Sequence, residues 1–168
     1  MKKEVTIVSW VSVLAFTLCF GGVAMAADPA ASKSSSLSAQ DKTFMKKAAK
    51  GGLMEVAMGN MAEQNAQSED VKSFGKRMVT DHSKANDELK AIAEKKGVTL
   101  SGKEPTEKWT SDKAYISSMV KDHEKDLAEF REEANNGSDP EVKKFADDTA
   151  KVIQEHLDQA KETQSKLH

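Results

Sequence analysis

Cysteine is all but absent. Among 168 residues only Cys19 carries a thiol, and it lies in an apolar run near the N-terminus. That run, Val5 to Val23, follows Lys2 and Lys3 and ends in Ala24-Met25-Ala26. A basic start, an apolar stretch and a small-x-small ending are the marks of an export signal. Residues 1–26 are therefore expected to be cleaved off, which places the mature protein in the periplasm or against the cell envelope. The other reading of the run is an uncleaved membrane anchor, because its length approaches that of a bilayer span. Leu18 is too large to precede a lipoprotein cysteine. Once the signal is gone there is no disulfide partner and no thiolate chemistry, whatever the redox state outside.

Proline is nearly missing too (three residues), and aromatics make up 5%. The abundance of Ala, Lys, Glu, Asp and Met instead is the composition of a helical protein. Charge of one sign is equally scarce: 25 basic residues oppose 27 acidic ones, for a formal charge of −2. The lysines are interleaved with acids, so there is no basic surplus for nucleic acid. No Gly-rich phosphate loop, Ser-His-Asp order or His-Glu-x-x-His is present. The length suits one domain with a sizeable core.

Residues 27–38 are small and polar and read as a disordered tether; the domain proper is expected over 39–168. Ser38, with Asp41 three residues on, signals a helix start. That helix runs to about Ala66 with Asp41, Phe44, Ala48, Gly51, Glu55, Met58 and Ala62 on one stripe. Gly51, Gly52 and Gly59 inside it suggest a closely packed neighbour, since glycine costs a helix about 1 kcal/mol against alanine. A second helix follows Ser68 and stops at Gly97, its stripe being Val71, Phe74, Met78, His82, Ala85, Leu89 and Ile92. A third starts near Ser111 and ends at Asn135-Asn136-Gly137, with Ile116, Met119, His123, Leu127, Phe130 and Ala134 inward. The fourth opens at Ser138-Asp139-Pro140-Glu141 and buries Val142, Phe145, Thr149, Val152, His156, Ala160, Thr163 and Leu167. Four such helices in two short-turned pairs make an all-α four-helix bundle the expected fold. The connection 97–110 reaches at most about 46 Å, against helices of about 40 Å. It could thus turn back or run the bundle's length, and Trp109 is expected to cover one end of the core.

Met78-Val79-Thr80-Asp81-His82 recurs as Met119-Val120-Lys121-Asp122-His123, each histidine on an apolar stripe eight residues after an aromatic. Glu55 and His156 occupy the equivalent stripe of the other two helices. All four lie near mid-helix, so at about 1.5 Å per residue they fall within roughly one turn of a common layer whichever way each helix runs. A buried Glu and buried imidazoles need partners. Three imidazoles and a carboxylate are a plausible ligand set for one Zn²⁺, Fe²⁺, Mn²⁺ or Cu²⁺. The alternative is a metal-free cluster in which Glu55 accepts hydrogen bonds from histidines. Asp81, Asp122 and Glu155 sit about 100° round from the histidines and are candidates to orient an imidazole. Met58, Met78 and Met119, within a turn of the layer, hint at copper, though methionine is also ordinary core filler.

The set Gly51-Gly52-Leu53-Met54-Glu55, Met78…Asp81-His82, Asp112-Lys113-Ala114-Tyr115 before Met119…Asp122-His123, and Glu155-His156-Leu157 resembles a bacterial exported family. That family carries a domain of unknown function and is placed among ferritin-like four-helix bundles. The resemblance covers about residues 40–167 and implies the ferritin-like fold and a shared role for Glu55, His82, His123 and His156, but no activity. Two positions depart from it: Lys151 stands where members often have proline, and Ser111 where an aromatic is usual. Ferritin-type di-iron centres need Glu-x-x-His on two helices. Val79, Val120 and Ile153 occupy the positions three before the histidines, which disfavours a dinuclear oxidase. The function expected is a metal-binding envelope protein in metal handling or stress defence. A metal-free structural or interaction module and a mononuclear metal oxidoreductase are the alternatives. No catalytic residue is nominated, and the sequence names no protein partner.

Overall fold

The computed structural model describes residues 37–102, 106 and 108–167. The expected export signal and residues 27–36 of the expected tether lie outside the described residues. Four helices follow in order: α1 (Ala39–Asn65), α2 (Glu69–Lys96), α3 (Asp112–Asn136) and α4 (Pro140–Lys166). No strand occurs among the described residues.

The helix ends form where local chemistry provides for their free backbone groups. Ser38 Oγ accepts from Asp41 N at 3.0 Å while Asp41 Oδ2 accepts from Ser38 N at 2.7 Å, a complete capping box. Gly97 ends α2 at φ 67°, a left-handed conformation that glycine adopts without penalty. Asp139, not Ser138, caps α4, accepting from Glu141 N and Val142 N with Pro140 at the first helical position. Ser68 occupies the cap position of α2 but makes no side-chain cap bond. The carboxylate of Asp112 takes its backbone N–H instead, at 2.7 Å, together with that of Gln67.

Partners along the helices reveal the topology. On α1 and α3, Gln40 meets Glu133, Lys47 meets Glu129 and Gln67 meets Asp112, so the two run antiparallel. On α2 and α4, Lys96 meets Asp139, Arg77 meets Glu155 and Asp70 meets Lys166, also antiparallel. Each hairpin is antiparallel as well, so α2 and α3 run parallel and the connection between them traverses the bundle. Val98 and Leu100 pack at one end on the cluster of Phe44, Leu89 and Phe145. Trp109 packs against Tyr115 at the other, with ring centroids 5.5 Å apart and planes tilted by 41°.

Two apolar clusters fill these ends, and a third (Leu127, Ala150, Ile153, Leu157) lies along α3 and α4. On α1 the expected stripe is buried at Asp41, Phe44, Glu55 and Ala62, but its other three positions give way to their neighbours. Met45, Ala49, Gly52 and Gly59 are buried, whereas Ala48, Gly51 and Met58 are half-exposed. On α4, Ala150, Ile153 and Leu157 are buried and Thr149 and Val152 only partly. The cause on α1 is close approach to α2: a Cβ placed on Gly59 would lie 2.7 Å from Gly75 O, and one on Gly75 would lie 2.7 Å from Ala62 Cβ. We expect Gly75→Ala to destabilise the protein by about 1–3 kcal/mol through overpacking against backbone. Chemical denaturation checks this.

At the Phe44 end a buried carboxyl pair joins α1 to α3. Asp41 also accepts from Ser138 N at 2.8 Å, and these backbone hydrogen bonds, outweighing burial, hold it at about 2. Glu133 beside it is pushed up to about 7 by burial and by Asp41, to which it donates. The folded protein therefore holds this proton more tightly than the unfolded chain, whose glutamate titrates near 4.5. The stabilisation is complete below that value and is lost as pH rises through 7. Stability from Glu133 should fall between pH 5 and 8 (about those limits), and Glu133→Gln should remove that slope in thermal melts.

Candidate metal centre

Between the two end clusters, α2, α3 and α4 each contribute one histidine to a single layer. His82, His123 and His156 are buried, at 9%, 1% and 0% exposure. One ring nitrogen from each lies within 4.8 Å of the others. Among the described residues this is the one group of three or more His, Cys, Asp or Glu ligands so close together. The ring centroids are 5.3 to 5.9 Å apart.

Hydrogen bonding decides what these rings present to one another. His123 Nδ1 lies 2.9 Å from Met119 O. A carbonyl oxygen only accepts, so Nδ1 carries the proton and Nε2 is a bare lone pair. His156 Nε2 lies 2.8 Å from Asp81 Oδ2. Burial pushes the Asp81 carboxyl up, but the hydrogen bonds from His156 and Arg77 outweigh it and hold the group below the usual carboxylate range. The carboxylate therefore accepts, and His156 Nδ1 is the second bare lone pair. His82 Nε2, His123 Nε2 and His156 Nδ1 are all buried without a hydrogen-bond partner. Burial, and then the neighbouring rings, pull His82 down to about 3; burial and His156 pull His123 to about 4. Burial also lowers His156, against the pull of Asp81. All three are neutral at physiological pH, the form that ligates metal.

Glu55 is equally buried, at 4% exposure, but stands apart from the three nitrogens. Its Oε1 lies 3.8 Å from His123 Nδ1, the ring edge opposite the free Nε2, and its Oε2 has no partner. Burial, with Asp126 and Asp122 nearby, pushes its carboxyl well above the usual range. The hydrogen bonds of a metal-free Glu–His cluster are not formed: the proton on His123 Nδ1 is committed to Met119.

Of the three acids flanking the histidines, Asp81 orients a ring. Glu155 is exposed and bonded to Arg77 at 2.5 Å, and Asp122 is exposed and bonded to Ser118. Arg77 escaped the sequence reading; it ties Asp81 (3.2 Å), Glu155 and Gln159 together. Its four-residue spacing from Asp81 was the available signal. Met78 and Met119 are buried in the apolar cluster with Phe74 and Tyr115, and Met58 packs against it. The Tyr115 hydroxyl is buried without a partner, and burial raises its pKa.

A model of one protein family, described as a domain of unknown function (DUF4142), matches residues 26–163. The chain belongs to the DUF4142 family. Among solved structures, this DUF4142 chain is similar to a DUF305 fragment from Deinococcus radiodurans. The TM-score is 0.67 at 12% identity, over 78% of this chain and 99% of that one. It is also similar to a two-domain protein from Anabaena variabilis with DJ-1/ThiJ/PfpI-like and ferritin-like domains. There the TM-score is 0.63 at 12% identity, over 77% of this chain and 38% of that one. At such identity the likeness shows the fold alone: an all-α, ferritin-like four-helix bundle, as the sequence led us to expect. No curated protein matches the DUF4142 chain by sequence.

Because the unfolded chain's histidines titrate near 6.5, the neutral triad stabilises the fold fully above that pH. The contribution is lost as pH falls through the folded values of about 3 and 4. In metal-free protein, long-range ¹⁵N NMR should find His123 protonated on Nδ1 and still neutral at about pH 5, and His156 protonated on Nε2 at neutral pH. A charged His123 ring at about pH 5 would contradict the geometry.

Proposed function

We propose that this DUF4142 protein binds one transition-metal ion through His82, His123 and His156, in the metal economy or stress defence of the cell envelope. The observation that carries this reading is the convergence of three buried, unpartnered ring nitrogens, two with their lone pairs set by Met119 O and Asp81. Two of these nitrogens, on His123 and His156, are bare lone pairs in a buried layer, and a cation among the three rings satisfies them by ligation. Three neutral imidazoles suit a borderline ion such as Zn²⁺, Cu²⁺ or Fe²⁺ better than a hard one. When bound, such an ion supplies Lewis acidity and, for iron or copper, redox chemistry.

The chain's own residues have separable tasks. The histidines provide the lone pairs, and the helix carbonyl at Met119 fixes one ring. Asp81, held in turn by Arg77, fixes another and adds a negative charge beside the centre. The nitrogens are cut off from solvent, which favours holding or handling an ion over turnover of a substrate. Glu55, on the Nδ1 side of His123, is not assigned to the ligand set. Lys2, Lys3, the apolar run and Ala24-Met25-Ala26 support export.

Untagged protein should retain close to one equivalent of metal by elemental analysis. Added metal at 100 times its Kd should stabilise it by about 2.7 kcal/mol, or roughly 5–10 °C in a domain of this size. His82→Ala, His123→Ala and His156→Ala should each lose the bound ion. Asp81→Asn should weaken binding about 10- to 100-fold. A wild-type melting curve indifferent to zinc, cobalt, copper and manganese would remove the proposal.

A further inference from the structure

The histidine layer offers an ion three nitrogens and no anion. Among the described residues no Asp, Glu or Cys joins the group formed by His82, His123 and His156. Glu55 is buried beside it, but its Oε1 lies 3.8 Å from Nδ1 of His123, the nitrogen already bonded to Met119 O. Burial also drives that carboxyl towards its neutral form. Asp81 stands behind His156, bonded to Nε2 at 2.8 Å, and the Arg77 guanidinium, 3.2 Å away, offsets its charge. Glu155 shares that guanidinium from an exposed position, where water screens it. An ion at the three nitrogens therefore meets no uncompensated negative charge.

The surroundings on one side are soft as well as apolar. Met78 and Met119 each precede a histidine by one helical turn, and because α2 and α3 run parallel both lie on the same side of the layer. They are buried together with Phe74, whose ring centroid is 6.4 Å from that of His156. This side sets thioether side chains and an aromatic ring next to the imidazoles. The three unpartnered ring nitrogens are themselves shut off from solvent.

We propose that the histidine centre selects monovalent copper, Cu⁺, held three-coordinate by His82, His123 and His156. This inference rests on the histidines binding an ion and narrows which of the ions suited to imidazole they keep. The cost of burying an ion grows with the square of its charge, so a divalent ion costs about four times what a monovalent one does in the same layer. A divalent ion also asks for more ligands than the layer gives: zinc is almost always four-coordinate and completes its shell with a further side chain or a water. Cu⁺ is satisfied by three nitrogens, and it is the ion that neighbouring thioethers favour. Selectivity thus comes from what the layer lacks, a counter-charge and a fourth donor.

Anaerobic titration of the untagged protein with Cu⁺ buffered by bathocuproine disulfonate, and separately with buffered Zn²⁺, tests the selectivity. The protein should take up a single equivalent of Cu⁺, with a Kd at least about a thousandfold below that for Zn²⁺. The same gap between Cu⁺ and Cu²⁺ would raise the potential of the bound couple by about 180 mV over the aqueous one, at about 59 mV per tenfold. A redox titration followed by EPR reads that potential. X-ray absorption of the Cu⁺ form should show three nitrogen neighbours and no oxygen. Zn²⁺ bound as tightly as Cu⁺, a potential at or below the aqueous value, or an oxygen in the shell overturns the selectivity and leaves the histidine centre standing. Protein that takes up neither ion removes the centre itself, and the selectivity with it.

Discussion

Everything at the middle of this bundle turns on desolvation of imidazole. Three rings are held where water does not reach, each with a nitrogen that has no proton-bearing or proton-accepting partner. In an apolar interior such groups cost free energy unless something satisfies them. The protein also commits the opposite nitrogens of His123 and His156 to fixed acceptors, which removes the tautomeric freedom that would let those rings satisfy one another. A register-fixing polar layer would show the reverse, with each ring donating to the next.

The rest of the architecture holds that layer in place. Apolar clusters at either end keep the helices together and place the histidines at matched depth. Asp41, at the start of α1, accepts from the turn joining α3 to α4, and Asp112, at the start of α3, accepts from the turn joining α1 to α2. Each hairpin is thus tied to the first turn of the other. The Gly59–Gly75 contact draws α1 against α2, whereas α1 and α3 pack loosely beside Glu55. Tight packing on one side and looseness on the other leave a groove between α1 and α3, lined by Glu55, beside the histidine layer.

Much of the site was legible because helix periodicity places residues reliably. His82, His123 and His156 each stood where a core residue belongs, and mid-helix depth is independent of chain direction. Glu55 shared the stripe but stands apart from the ring nitrogens, because it reaches the layer behind His123, on that ring's Nδ1 side. Periodicity reports which face a residue occupies, not which edge of a neighbouring ring it approaches. Glu133 was overlooked because an acid near a helix end reads as solvated surface until Asp41 is found against it.

From the sequence alone came the helical class, four amphipathic segments with their caps, and one ionisable residue at the middle of each. These follow from local rules, since a 3.6-residue period and a capping side chain act within a turn or two. Only the tertiary structure decided that α2 and α3 run parallel, and that Asp81 rather than Asp122 or Glu155 orients a histidine. It alone brought three imidazoles together while leaving the carboxylate outside. Each of these depends on which helices become neighbours and on the rotation of one about another, quantities carried by contacts between residues about 40 to 100 positions apart, well beyond the reach of helix periodicity.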